Sequence, residues 1–170
     1  LSGITPVLSA SCREAALAAV RVAREKGVLV SFDPNVRRKL WGEADCAPLI
    51  RSMALDSDIV MLGRDEAELL LGSGEPEAAF DALFAGGRTR CAAIKDGGNG
   101  AWVADRKKRV KIPPYPCKCV DPVGAGDGFN AGFLAGILTG RDLETAGRMG
   151  GICGALATET AGDTDGYPDG

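Results

Sequence analysis

The sequence predicts an α/β fold with a mainly parallel sheet that helices cover on both faces. Short apolar runs alternate with longer segments of helical pattern, as in βαβ units. The apolar runs are nearly continuous, which is typical of strands buried on both faces, and turn residues end them. Crossovers in such sheets are right-handed, and ligands bind beyond the carboxyl ends of the strands.

The first half of the chain is predicted to form helices around two buried strands. Ser11-Cys12-Arg13-Glu14 is typical of a capping box and predicts a helix that runs to Lys26 and ends at Gly27. A strand over 28–32, which Asp33-Pro34 ends, follows this helix. The remaining elements are a helix over 45–55, a strand over 58–62 and helices over 65–71 and 75–85.

The second half is predicted to open with a third strand over 91–95, which a glycine-rich turn ends. Two short extended runs then pair as a hairpin with an exposed basic tip at 106–109. The last two helices are predicted over 126–138 and 143–160. We expect a single domain over residues 1–170, because a chain of 170 residues buries one substantial core.

Composition and charge exclude several classes of protein. The chain has 45% hydrophobic and 25% charged residues, as in ordinary globular proteins. A net charge of −3 and a pI near 5.1 argue against nucleic acid as a partner. No apolar run reaches the length of a membrane span, and the N-terminus does not resemble a signal peptide. We therefore expect a cytoplasmic protein without membrane or nucleic-acid partners.

The cysteine and histidine content limits the metal sites and catalytic bases that the chain can form. Six cysteines are scattered along the chain, and only Cys117 and Cys119 lie close together. A single Cys-x-Cys without histidine makes a poor metal site, so we expect reduced thiols. The absence of histidine excludes every mechanism with a histidine base, including Ser-His-Asp hydrolysis. A general base must therefore be a carboxylate, a lysine or a rarer group.

One late segment carries the strongest chemical signal. Small residues at Gly124, Ala125 and Gly126 leave backbone amides bare where a helix begins, which makes an anion site. Asp127 lies in the first turn of this helix, where its carboxylate can accept the proton of an attacking hydroxyl. Amides and a base in one segment suit phosphoryl transfer. Read alone, Gly-Ala-Gly-Asp is also consistent with a tight turn and an Asp cap.

Over residues 121–133 the sequence resembles the second signature of the ribokinase-like sugar kinases, also called the PfkB family. The resemblance implies a three-layer αβα fold, ATP and Mg²⁺ as cofactors, and Asp127 as a catalytic base that contacts the substrate hydroxyl. Gly124, Ala125 and Gly126 would then bind the nucleotide phosphates. Pro122 stands where many members carry Thr.

Residues 93–101 resemble the strand and turn that wrap the nucleotide in this family. The resemblance assigns Lys95, Gly97, Gly98 and Gly100 to nucleotide binding, since glycines allow the backbone to approach a ligand closely. Read alone, the segment is an ordinary hairpin turn.

Two further segments resemble family motifs. Residues 63–72 resemble the segment of the Asn-x-x-Glu motif, with Gly63 in place of Asn, which implies that Glu66 binds Mg²⁺ through water. A charged surface helix is the alternative there. Residues 31–41 resemble a loop of the 2-keto-3-deoxygluconate kinases and the fructokinases. Asn35 would then bind the nucleotide, and Arg37 would grip an acid substrate or the transferring phosphate.

The resemblance covers nearly the whole chain and maps to the C-terminal part of a typical member. We therefore expect a chain cut from a larger protein, without the N-terminal lid and first strands. The expected activity is ATP-dependent phosphorylation of a hydroxyl of a sugar acid, 2-keto-3-deoxygluconate. Alternatives are a fructokinase or another sugar kinase of the family, and an inactive nucleotide-binding or interaction module produced by truncation. The full-length protein is expected to be a homo-oligomer.

Overall fold

Helices and strands alternate along the chain in the computed structural model, which describes residues 1–42, 44–162 and 165–168. The chain divides into two compact units, Leu1–Ile94 and Lys95–Gly170. Helices of the first unit are α1 (Thr5–Leu8), α2 (Ala10–Glu25), α3 (Ala47–Leu55), α4 (Arg64–Leu71) and α5 (Pro76–Ala85). Its strands are β1 (Ser31–Phe32), β2 (Ile59–Gly63) and β3 (Cys91–Lys95), whose last residue opens the second unit.

The second unit contains a hairpin followed by two helices. Its elements are β4 (Ala101–Asp105), β5 (Arg109–Ile112), α6 (Ala125–Leu138) and α7 (Leu143–Ala157). Strands β4 and β5 pair antiparallel, as the sequence predicts, and Ala101 lies opposite Ile112. The predicted basic tip is exposed. Asp105 Oδ1 accepts hydrogen bonds from the Lys107 and Lys108 amides there, each at 2.7 Å.

In the first unit β2 lies between β1 and β3, and β1 pairs parallel to β2 with Ser31 opposite Ile59. The core is apolar, as the sequence predicts for buried strands. Its largest fully buried apolar side chains in this unit are Phe32, Ile50, Val60, Leu62, Phe80, Leu83 and Ile94. Within the described ranges no helix has both the length and the apolar character that a membrane span requires.

Two predicted boundaries are wrong near the N-terminus. Helix α2 begins at Ala10 with Ser9 as its N-cap, because the Ser9 hydroxyl accepts the Cys12 amide at 3.1 Å. The strand predicted over 28–32 is reduced to its last two residues, and Val28 and Leu29 are 57% and 42% exposed. The reason lies at Val30, whose amide donates to the Asp58 carboxylate at 2.9 Å instead of to a strand.

Asp58 joins three segments at the start of the strands. Its side chain is 1% exposed, and Oδ2 accepts the Val30 amide and Arg88 Nη2, the latter at 3.0 Å. The Arg90 guanidinium lies 3.3 Å from Oδ1. A buried carboxylate is tolerated only with such partners, so this cluster holds the segment before β1 against the starts of β2 and β3.

Glycines allow α6 and α7 to pack in close contact. A Cβ at Gly132 of α6 would lie 2.5 Å from the Met149 carbonyl oxygen of α7, and one at Gly128 would lie 2.9 Å from the Cys153 carbonyl oxygen. From α7, a Cβ at Gly154 would lie 2.8 Å from the Ala125 carbonyl oxygen. Side chains at these positions would push the helices apart, so the glycines set the position of α6.

We predict that Gly132→Ala destabilises the chain by about 1–3 kcal/mol, because the added methyl overlaps backbone that cannot rotate away. This loss outweighs the gain of about 1 kcal/mol from the helix propensity of alanine. The free energy of unfolding in urea measures the effect. Gly151→Ala in α7 is the matched control, because its Cβ would lie at an ordinary 3.7 Å from Ile112. A Gly132→Ala variant as stable as the parent would contradict the packing argument.

Candidate functional site

The start of α6 presents backbone amides that no group in the described part of the chain occupies. Gly124 is the N-cap with φ +81°, a conformation that favours glycine, and the turn before it is closed by the Val123 amide bonding to Asp121 Oδ1 at 3.0 Å. Among the described residues no acceptor is recorded for the amides of Gly126 and Asp127. The Ala125 amide differs from the expectation, because it donates to the Pro122 carbonyl at 3.3 Å. Two bare amides at a helix N-terminus favour an anion.

The Lys95 ammonium adds a full positive charge beside these amides. Lys95 ends β3, and a Cβ at Gly126 would lie 3.6 Å from its Nζ atom. Nζ donates to Oδ1 of Asn130 at 3.2 Å, and Asn130 is 8% exposed. Sequence reasoning missed Asn130. The available signal was a polar side chain one helical turn after Asp127 in an otherwise apolar helix.

A glycine turn follows Lys95 and keeps its backbone close to neighbouring strands. The turn Gly97–Asn99 is a single 3₁₀ turn, closed by the Gly100 amide donating to the Gly97 carbonyl at 3.1 Å, and the flanking Asp96 amide donates to the Gly100 carbonyl at 2.9 Å. A Cβ at Gly100 would lie 2.2 Å from the Ile112 carbonyl oxygen. Only glycine fits at position 100, so close packing is enough to account for Gly100.

A cavity of about 580 Å³ lies within the second unit, a volume typical of small-molecule sites. Six residues that the sequence assigns to nucleotide binding line it: Lys95, Gly97, Gly98, Gly100, Ala125 and Gly126. Gly124 is not among its lining residues. Sequence reasoning missed the apolar part of the wall, which Pro113, Pro114, Tyr115, Pro116 and Phe129 form together with small residues of α7.

Asp127 lies beside the cavity wall without forming part of it. The residue is exposed, and no hydrogen bond or ion pair of its side chain is recorded in the described part of the chain. Its neighbour Gly126 lines the cavity. The carboxylate can therefore take up a proton from a group that approaches the helix start.

In the first unit Glu66 bridges two backbone amides, one at the end of β2 and one in the loop after β1. Its Oε2 accepts the Gly63 amide at 2.8 Å, and its Oε1 accepts the Val36 amide at 2.6 Å. Each carboxylate oxygen keeps a lone pair, so the group fits a water-mediated contact to Mg²⁺. In the ranges that the structure describes no three Cys, Asp or Glu side chains group as metal ligands. A bound Mg²⁺ would accordingly depend on phosphate oxygens and water.

Asn35 and Arg37 lie in the loop that Glu66 holds. Asn35 has φ +41°, uncommon outside glycine, and its amide donates to Asp33 Oδ1 at 3.0 Å. Arg37 is exposed, and its Nη1 donates to the Val36 carbonyl at 3.2 Å. An exposed guanidinium of this kind suits a carboxylate or a phosphate.

An α/β chain with bare helix amides, a lysine and an adjoining carboxylate has the parts of a phosphoryl-transfer site. The model of the pfkB family carbohydrate kinases matches residues 1–170, and the chain belongs to this family. It is 36% identical to the 2-dehydro-3-deoxygluconokinase of Bacillus subtilis, over 99% of this chain and 52% of that protein. It is 32% identical to the probable fructokinase-5 of Arabidopsis thaliana, over 98% of this chain and 54% of that protein.

A solved structure confirms the ribokinase-like α/β fold. The putative ribokinase II of E. coli, in complex with ATP and Mg²⁺, superposes with a TM-score of 0.88 at 28% identity. The match covers 98% of this chain and 54% of that one. The chain thus spans about half the length of the relatives it matches.

We predict that Lys95→Met weakens binding of inorganic triphosphate about tenfold or more, because the variant removes a charged donor beside the free amides. Isothermal titration calorimetry on this chain measures the affinity. Lys111→Met is the matched control, because the Lys111 ammonium lies over the Trp102 ring, 5.6 Å from its centroid. Equal affinities for the parent and the Lys95 variant would contradict a role for this ammonium in anion binding.

Proposed function

We propose that residues 1–170 form the nucleotide-binding and catalytic part of an ATP-dependent sugar kinase. We further propose that the whole protein phosphorylates a hydroxyl of a sugar acid, 2-keto-3-deoxygluconate. The observation that carries the proposal is the start of α6. There the amides of Gly126 and Asp127, the Lys95 ammonium and the Asp127 carboxylate lie at one helix end.

In this proposal the cavity of the second unit holds ATP. Its proline and aromatic wall suits an adenine ring, and the backbone of Gly97, Gly98 and Gly100 can approach the nucleotide closely. The phosphates lie towards Ala125 and Gly126. The left-handed backbone conformation of Gly124 sets the direction of the turn before them. Negative charge on the transferring phosphate is stabilised by preorganised amides and by Lys95.

Asp127 acts as the general base. The substrate hydroxyl gives its proton to the Asp127 carboxylate while its oxygen bonds to the γ-phosphorus, and the bond from phosphorus to the β-phosphate oxygen breaks to release ADP. Mg²⁺, when bound, neutralises phosphate charge, and Glu66 would hold it through water. Asn35 contributes a polar group on the loop that Glu66 holds.

Arg37 is the proposed contact for the substrate's carboxylate, because its guanidinium is exposed and planar. The relative from Bacillus subtilis, by its name a kinase of this sugar acid, supports the choice. Fructose is the second candidate, supported by the Arabidopsis relative. We place the protein in the cytoplasm, where its free cysteines stay reduced, and expect the whole protein to be a homo-oligomer.

We predict that Asp127→Asn in the full-length protein lowers kcat by about 10²- to 10⁴-fold, since it removes the base and keeps the size of the side chain. Affinity of this chain for Mg·ATP should stay near the parent value. A coupled assay of ADP release measures kcat, and calorimetry measures binding.

Asp142→Asn is the matched control for this prediction. Asp142 is the N-cap of α7, where asparagine caps as well as aspartate, so turnover should persist. An unchanged kcat in the Asp127 variant would contradict the base assignment. Failure of the parent chain to bind Mg·ATP would instead favour an inactive module.

We predict that Arg37→Gln lowers kcat/KM for 2-keto-3-deoxygluconate by about 10- to 100-fold, because a charged hydrogen bond to the carboxylate is lost. Phosphorylation of fructose by the same variant should change far less. Initial rates with both sugars in the full-length protein measure the difference.

Arg38→Gln serves as the control, since Arg38 is a neighbouring exposed arginine. An equal loss with both sugars would assign Arg37 to the transferring phosphate and not to the acid. A parent enzyme that prefers fructose would overturn the sugar-acid proposal and leave the kinase proposal intact.

A further inference from the structure

Cys117 and Cys119 place two exposed thiols on the wall of the cavity. Both residues are exposed, and both line the cavity in the second unit. They lie in the segment between β5 and α6, two residues apart, so both sulfurs belong to one short stretch of chain. The kinase proposal uses neither of them.

The other four cysteines are less accessible and lie outside the cavity wall. Cys46 and Cys91 are buried, and Cys12 and Cys153 are partly buried. Partial burial raises the pKa of the Cys153 thiol, which lowers its thiolate fraction at neutral pH. Since the thiolate is the reacting form, accessible reagents should find Cys117 and Cys119 first.

The segment that carries the two thiols is attached to the C-terminal end of α7. The Cys117 sulfur lies 3.6 Å from Thr158 Oγ1, and the Lys118 amide donates to Glu159 Oε1 at 3.2 Å. The Val120 amide donates to the Thr158 carbonyl at 2.7 Å. An adduct on the Cys117 sulfur would displace its contact with Thr158, and an adduct on either cysteine would add bulk to the cavity wall just before the turn that begins α6.

We propose that Cys117 and Cys119 are a site of thiol modification, at which exchange with a low-molecular-weight disulfide forms a mixed disulfide that excludes nucleotide from the cavity. The cysteine thiol releases its proton to solvent, and its sulfur bonds to one sulfur of the reagent. The disulfide bond of the reagent breaks, and its other half leaves as a thiolate with the electron pair. The inference rests on the proposed function, because it assigns the cavity to a nucleotide.

The test treats this chain with oxidised glutathione, locates adducts by peptide mass spectrometry and measures Mg·ATP affinity before and after treatment. We expect adducts on Cys117 or Cys119, an affinity weakened about tenfold or more, and full recovery with dithiothreitol. Bound Mg·ATP should slow the formation of the adducts.

The Mg·ATP affinity of the double variant C117S/C119S should be the same before and after treatment. Cys12→Ser should remain as sensitive as the parent. Adducts elsewhere, an internal disulfide in place of the adduct, or an unchanged affinity of the modified chain would overturn the inference and leave the kinase proposal standing. Failure of the untreated chain to bind Mg·ATP would overturn the proposed function and this inference with it.

Discussion

The contact between α6 and α7 is the constraint on which the candidate site depends. Glycines on both helices let the two backbones approach each other closely. A Cβ added at Gly132 would lie only 2.5 Å from the Met149 carbonyl oxygen. Helices packed this closely cannot shift along each other without steric overlap, because backbone carbonyl groups, unlike side chains, cannot rotate out of the way. The direction of α6, and hence of its free amides, is therefore set by the glycines and not by the site itself.

The turn before α6 is held by the protein from several sides, which preorganises the amides. The Tyr167 hydroxyl donates to the Gly124 carbonyl at 3.2 Å, and the Asp121 amide donates to the Thr158 carbonyl at 3.1 Å. Lys95 is likewise held by buried Asn130. Dipoles and charges fixed before a ligand arrives need no reorganisation during reaction, which is the condition under which they stabilise developing charge most.

Elements with a strong local signal could be predicted from sequence, and elements decided by distant side chains could not. Residues 91–95 form the predicted strand because an apolar run between turn residues permits little else. Residues 28–30 carry a similar pattern, yet the distant Asp58 carboxylate takes the Val30 amide. In the site, the bare amide of Gly126 could be predicted from the small residues at a helix start, whereas the Ala125 amide, predicted in the same way, bonds to the Pro122 carbonyl. The contact of Asn130 with Lys95 and the proline wall required the tertiary structure, since the sequence does not show which residues these groups meet.

In the proposed function, phosphoryl transfer and substrate choice make different demands on the chain. The first uses backbone amides, so a few small residues before a helix are enough to identify it in a sequence. The second uses the shape of a loop, and here Glu66 holds that loop by the Val36 amide while its other oxygen holds Gly63 at the start of α4. Arg37 follows Val36 directly, so the position of the guanidinium depends on a carboxylate thirty residues away in sequence. Glu66 would thus influence the choice of substrate through backbone geometry, whether or not it also orders a metal ion.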